Sequence, residues 1–165
     1  DAQTAHWLVS MPRPYQRHNA FAYLESLREL AARRIGVTWC KADPSDDRCL
    51  GSISLDGLNG YARRGEIGYW AHPDARGRGV VTEAVRLVTQ HARDTGLAIS
   101  LIIRCARGNT ASRRVAERAG YTEVGIQARS ELGDFHGALE LCDEAVKRGL
   151  GAHFEAKRDS LDWAR

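Results

Sequence analysis

Long hydrophobic runs are missing from this 165-residue sequence. The most apolar stretch, Ala98 to Ile103, is far short of the ~20 residues that a bilayer-spanning helix needs, so a membrane protein is not expected. The opening residues, Asp1 to Ser10, have neither a basic start nor an apolar stretch, so no signal peptide is expected there. Paired cysteines are lacking too. Cys40, Cys49, Cys105 and Cys142 are scattered with no C-x-x-C spacing, which fits reduced thiols in a cytoplasmic protein better than a disulfide framework or a zinc site. The six histidines show neither H-x-x-x-H nor H-E-x-x-H spacing, so no metal is expected. Internal repeats and low-complexity linkers are absent. What remains, 43% apolar and 27% charged residues, has the composition and length of a single globular domain spanning 1–165.

Lysine is scarce: 21 of the 24 basic residues are arginine. Arginine suits bidentate phosphate contacts, and a genome-composition bias gives the same excess. The net charge of +3 is weak evidence for a nucleic-acid partner, and its distribution says more than its total. Residues 72–129 hold ten basic against five acidic groups, residues 1–71 nine against eight, and residues 130–165 five against eight.

Periodicity predicts a helix from the N-cap Asn19 to about Arg34, with Phe21, Leu24, Leu27, Leu30 and Ala31 as its apolar stripe. Strands follow at Val37–Lys41, Cys49–Leu55 and Glu66–His72. A second amphipathic helix runs from Val80 to Arg93, and Leu97–Ile103 reads as a strand buried on both faces. Asn109 caps a helix to Ala119, stopped by Gly120, and Tyr121–Gln127 is a strand. Leu139–Gly151 reads as an inserted helix and His153–Lys157 as a last strand. This order implies an α/β class with a mixed sheet.

The most informative stretch is His72-Pro73-Asp74-Ala75-Arg76-Gly77-Arg78-Gly79-Val80-Val81-Thr82, which places two glycines between a strand end and a helix start. Glycine permits a tight turn and close ligand approach, and the first helical amides are unpaired and point outward. Such a terminus binds phosphate. A plain tight turn with solvated arginines is the alternative. A Walker A loop is ruled out because Val80-Val81 stands where Lys-Ser/Thr is required, and a dinucleotide fingerprint lacks its third glycine.

Glu66-Ile67-Gly68-Tyr69-Trp70, Pro73, Arg76 through Ala84, Asn109-Thr110-Ala111-Ser112 and Ala119-Gly120-Tyr121 together resemble the GCN5-related N-acetyltransferases (GNAT), and within them the RimJ/RimL-like branch that acetylates N-termini of ribosomal proteins. The resemblance covers about Trp7 to Gly125. It implies an α+β fold with a mostly antiparallel central sheet flanked by helices, and acetyl-CoA as cofactor, released as coenzyme A. Arg76 and Gly79 match the superfamily's Arg/Gln-x-x-Gly-x-Gly/Ala motif, while Val81 replaces the usual small residue. By the resemblance, Arg76, Gly77, Arg78, Gly79, Val80, Val81 and Thr82 anchor the pyrophosphate. Trp70, Ala71 and His72 offer backbone groups to the pantetheine arm and an N–H to the acetyl carbonyl. Asn109 binds the cofactor arm.

Glu66 is the candidate general base, acting through a water; its alternative is an ion pair with Arg63 or Arg64. Ser112 is the candidate acid for the leaving thiolate, since Ala116 stands where much of the superfamily has a tyrosine; its alternative is a hydrogen bond to a carbonyl of the first helical turn. Tyr121 is expected in the core and His72 in an exposed turn. Trp7, Tyr15, Phe21 and Tyr23 are candidates for one wall of the acceptor cleft. By the resemblance, the family's usual first strand and part of a helix would come before the segment matching Asp1–Pro14, and residues 130–165 are expected to form an atypical extension. The implied acceptor is a primary amine, a protein or peptide α-amino group before a small amine such as an antibiotic or polyamine, with no nucleic-acid or membrane partner, in a monomer or homodimer. A non-catalytic acyl-CoA-binding module is the alternative from another class.

Overall fold

A computed structural model describes residues 1–8, 11–60, 63–127 and 138–143. Two helices, α1 (Ala2–Trp7) and α2 (Arg17–Ala32), precede a meander of β1 (Val37–Ala42), β2 (Cys49–Asp56) and β3 (Arg64–Ala71). A single 3₁₀ turn, Pro73–Ala75, leads into α3 (Val80–Asp94). Then come β4 (Ser100–Ala106), α4 (Thr110–Arg118), β5 (Tyr121–Gln127) and β6 (Ala138–Asp143). The six strands form one sheet in the order β1-β2-β3-β4-β6-β5. Every neighbouring pair is antiparallel except β3 and β4.

That parallel pair shapes the molecule. It joins only at Arg64↔Ser100, Gly65↔Leu101 and Glu66↔Ile102. Beyond Glu66, β3 continues to Ala71 and β4 to Ala106 without pairing each other, so the sheet divides there into two wings. Backbone groups released from a ladder need other partners. On the β2 side of β3, Lys41 Nζ donates to the carbonyls of Ser52 (3.0 Å) and Trp70 (2.9 Å).

The two faces of β3 differ because side chains alternate along a strand. Ile67 packs with Ile53, Leu55, Leu101, Ile103 and Cys105 beneath Val85, Val88 and Ala92 of α3 and Ala116 of α4, and Tyr69 packs against the edge of this cluster. Tyr121 lies in the same core as expected, its hydroxyl 2.7 Å from Thr89 Oγ1. The opposite face carries Glu66, Gly68 and Trp70.

Some expectations are corrected. The second helix starts two residues before Asn19: Gln16 is its N-cap, and Asn19 sits three residues on, its Oδ1 accepting from the Gln16 amide at 2.8 Å. Asn19 is therefore the returning half of a capping box. None of this helix is fully buried, and Phe21 and Leu24 are more than half exposed, because α2 packs against an edge strand. β4 begins at Ser100, three residues later than expected, because Leu97 still closes α3 by donating to the Ala92 carbonyl. Residues 138–143 are a strand, where the helix over Leu139–Gly151 was expected. They pair on both edges, with β4 and with β5, and these long-range ladders override a local helical period. The expected strand His153–Lys157 lies outside the described residues, as does the rest of the Leu139–Gly151 segment. Among the described residues no helix is long and apolar enough to cross a membrane.

Candidate active site

A cleft of about 410 Å³ is walled by the end of β3, the loop into α3, the first turns of α4, and α1. Trp70, Ala71, Arg76, Gly77, Gly79, Val81, Thr82, Asn109 and Ser112 line it. Nine of the expected site residues, from three separate stretches of chain, thus converge on one cavity. His72, Arg78, Val80 and Glu66 do not line it. His72 caps the 3₁₀ turn, its Nδ1 accepting from the Asp74 amide at 3.3 Å. Arg78 is exposed and donates to the Asp74 carbonyl at 3.4 Å.

The loop before α3 is built for an approaching ligand. Gly77 and Gly79 have φ of 72° and 77°, a region that side chains rarely adopt, and a Cβ on either would meet nothing within 4 Å. The glycines are thus required by the turn, and the space beside them is open to the cleft. Gly79 is the N-cap of α3, so the first amides of that helix face the same space. Backbone donors at a helix N-terminus with room for close approach fit a pyrophosphate.

Arg76 is placed differently from a free phosphate ligand. Its guanidinium donates to Gln3 Oε1 (2.6 Å), Asp1 Oδ2 (2.8 Å), Thr4 Oγ1 (2.7 Å) and the Ala71 carbonyl (3.4 Å). It ties the loop to α1.

At the other wall, Asn109 caps α4, its Oδ1 accepting from the Ser112 amide at 3.1 Å. The Ser112 hydroxyl lies 3.0 Å from the Tyr69 hydroxyl, which also donates to the Ser112 carbonyl at 3.1 Å. Burial raises the pKa of the nearby Cys105 thiol, with Ser112 acting the other way. Burial likewise pushes the Tyr69 phenol up to about 12, although its bond to Ser112 pulls the other way. Both groups are therefore neutral near pH 7.

Glu66 sits on the opposite face at the last paired position, where β3 and β4 begin to part. Its carboxylate is ion-paired with Arg104, not with Arg63 or Arg64. Glu66 and Arg104 remain partly open to solvent. Ala116, in the position of the absent tyrosine, is fully buried in the core. Of the aromatic residues expected along the acceptor wall, Trp7 lines the cleft, while Tyr15, Phe21 and Tyr23 are exposed.

Sequence reasoning missed Gln3, Thr4, Tyr69, Arg114 and Arg118 as cleft residues. For α4 the signal was present: Ala111, Arg114, Val115 and Arg118 recur at helical spacing on the face that begins beside Ser112. Tyr69 had no such signal, because a tyrosine in a strand reads as core.

Residues 1–122 match the acetyltransferase (GNAT) domain family. YdaF of Bacillus subtilis (strain 168), named as a candidate ribosomal N-acetyltransferase, is 39% identical over 88 residues, 53% of this chain and 47% of the relative. The ribosomal-protein-serine acetyltransferase of Escherichia coli (strain K12) is 28% identical over 87 residues, 53% of this chain and 49% of the relative. The chain thus spans about half the length of these two relatives. A structure of RimL, a ribosomal L7/L12 α-N-protein acetyltransferase in complex with coenzyme A, superposes with a TM-score of 0.71 at 20% identity, over 77% of this chain and 72% of that one. With its split sheet, its glycine turn at the start of α3 and this sequence match, the chain belongs to the GNAT acetyltransferase domain family.

Proposed function

We propose that this chain transfers an acetyl group from acetyl-CoA to a primary amine, with the α-amino group of a protein or peptide as the favoured acceptor. The observation that carries the reading is the divergence of β3 and β4 after Glu66. It frees the end of β3 to wall one cleft with the glycine turn of α3 and the Ser112 hydroxyl, while the Glu66 carboxylate stands where the strands part, outside that lining. The names of the relatives support the acceptor class.

Acetyl-CoA supplies the activated acyl group. The amides at the start of α3 hold its pyrophosphate, with Gly77 and Gly79 allowing close contact, and Asn109 and the β3 end flank its arm. A main-chain N–H at the unpaired end of β3 polarises the thioester carbonyl. Glu66 receives the amine proton through a water from the face opposite Ser112. An α-amino group, with a pKa of ~7.7–8.0, asks less of that carboxylate than a lysine at ~10.4. Ser112 donates a hydrogen bond to the leaving sulfur.

Thiol release from acetyl-CoA, followed with a panel of N-terminal peptides, lysine peptides and small amines, tests the reading. Turnover on N-terminal peptides is the expected result. CoA binding without turnover on any acceptor would replace it with an acyl-CoA-binding module.

A further inference from the structure

Ser112 is held at every polar atom it has. Its amide donates to Asn109 Oδ1, its carbonyl accepts from the Tyr69 hydroxyl, and its Oγ lies 3.0 Å from that hydroxyl. A serine at the start of a helix ordinarily turns its hydroxyl onto a nearby backbone group. Here the partner comes from β3, 43 residues away in sequence.

The phenol has one proton and two acceptors on Ser112, at 3.0 and 3.1 Å. Turned toward the carbonyl, it leaves its oxygen to receive the serine proton. Turned toward Oγ, it fills one lone pair of the serine and leaves the serine proton free to turn elsewhere. The serine O–H can then turn into the cleft that Ser112 lines. The exchange needs only rotation of the phenolic proton. A hydroxyl that accepts while it donates is also the stronger donor.

We propose that Tyr69 is a positioning residue for acetyl transfer: by donating to Ser112 Oγ, it aims the serine proton into the cleft at the departing thiol sulfur. The proposal rests on the acetyltransferase reading. No proton leaves Tyr69; the phenol orients and polarises the serine hydroxyl, which stabilises negative charge on sulfur by hydrogen bonding.

The test uses the whole chain and the variants Tyr69→Phe, Ser112→Ala and their combination. Tyr69→Phe keeps the ring and removes only the hydroxyl. It is expected to lower kcat about tenfold or more, with the KM for acetyl-CoA changed less than about twofold. The double variant is expected to be no slower than Ser112→Ala alone, because the phenol acts only through the serine. A readout without turnover is the ionisation of the thiol of bound CoA, followed by thiolate absorbance. It is expected at lower pH than in free CoA, and to move back up in Tyr69→Phe. Wild-type kcat in Tyr69→Phe, multiplicative losses in the double variant, or an unmoved thiol titration would each overturn the proposal. Failure of the unsubstituted chain to bind CoA or to transfer acetyl would overturn the acetyltransferase reading itself, before any variant is compared.

Discussion

The two faces of β3 differ in what surrounds them. On one, Ile67 is 1% exposed and joins the apolar core under α3 and α4, and Tyr69 extends that face to the cleft. On the other, Glu66 meets Arg104 in partial contact with solvent, and Gly68 and Trp70 follow toward the cleft. One strand can therefore serve stability through its odd-numbered residues and chemistry through its even-numbered ones. The division ends at Tyr69, whose ring belongs to the core and whose hydroxyl belongs to the site. A sheet that stayed paired throughout would keep the two faces apart; the divergence after Glu66 lets groups on both reach one cleft.

Substitutions on either side can sharpen this contrast. The largest effect is expected at the cofactor turn, where Gly79→Trp combines an unfavourable φ with an indole in the open space beside the α3 amides. CoA binding by calorimetry should fall below detection while circular dichroism stays native, since the added side chain meets no protein atoms nearby. On the buried face, Ile67→Ala should destabilise by about 2–5 kcal/mol in urea unfolding, with CoA affinity retained under native conditions. On the open face, Glu66→Gln should do the reverse. It should lower kcat about a hundredfold with CoA affinity nearly unchanged, and shift stability by no more than about 1 kcal/mol because its ion pair is partly solvated. Full activity in Glu66→Gln would leave that carboxylate only its ion pair.

A smaller effect is expected from Lys41, which is buried at the end of the β2–β3 ladder. Burial lowers its pKa from 10.5 to about 8, with the nearby Cys49 and Cys40 acting the other way. Between those values the unfolded chain binds more protons than the folded one, so stability rises with pH across that window. Below about pH 8 both states are protonated and the full penalty is present. Urea unfolding at pH 7.5 and pH 10 should therefore show a gain of about 2 kcal/mol in the wild type relative to Lys41→Met. Parallel behaviour of the two proteins would show that the buried ammonium carries no such penalty.

The local features were readable because their causes are local. Gly79 and Gly120 mark turns that need positive φ, Asn109 caps α4, and the apolar period of α3 matches the face it buries. The glycine turn could be assigned to an anion because its amides come from consecutive residues. Asn19 was misplaced by three positions because an asparagine before an apolar helical period reads as an N-cap, whereas Gln16 takes that position and Asn19 the N3 end of the box. The 138–143 strand was unreadable for another reason: its backbone bonds go to the preceding strand β5 and to β4, and no local period of the segment reports those partners.

The sequence by itself determined the glycine turn before α3, the cap that places Ser112 at the start of α4, the alternation that puts Glu66 and Tyr69 on opposite faces, and the resemblance to its family. These follow from backbone conformation and short periodicities. Only the tertiary structure decided where β3 and β4 stop pairing, that Arg104 rather than a neighbour faces Glu66, that Arg76 is bound to α1, and that a tyrosine from β3 holds the serine of α4. Each of these is a contact between groups far apart in the chain, brought together by burial of the shared core rather than by any preference of the residues themselves.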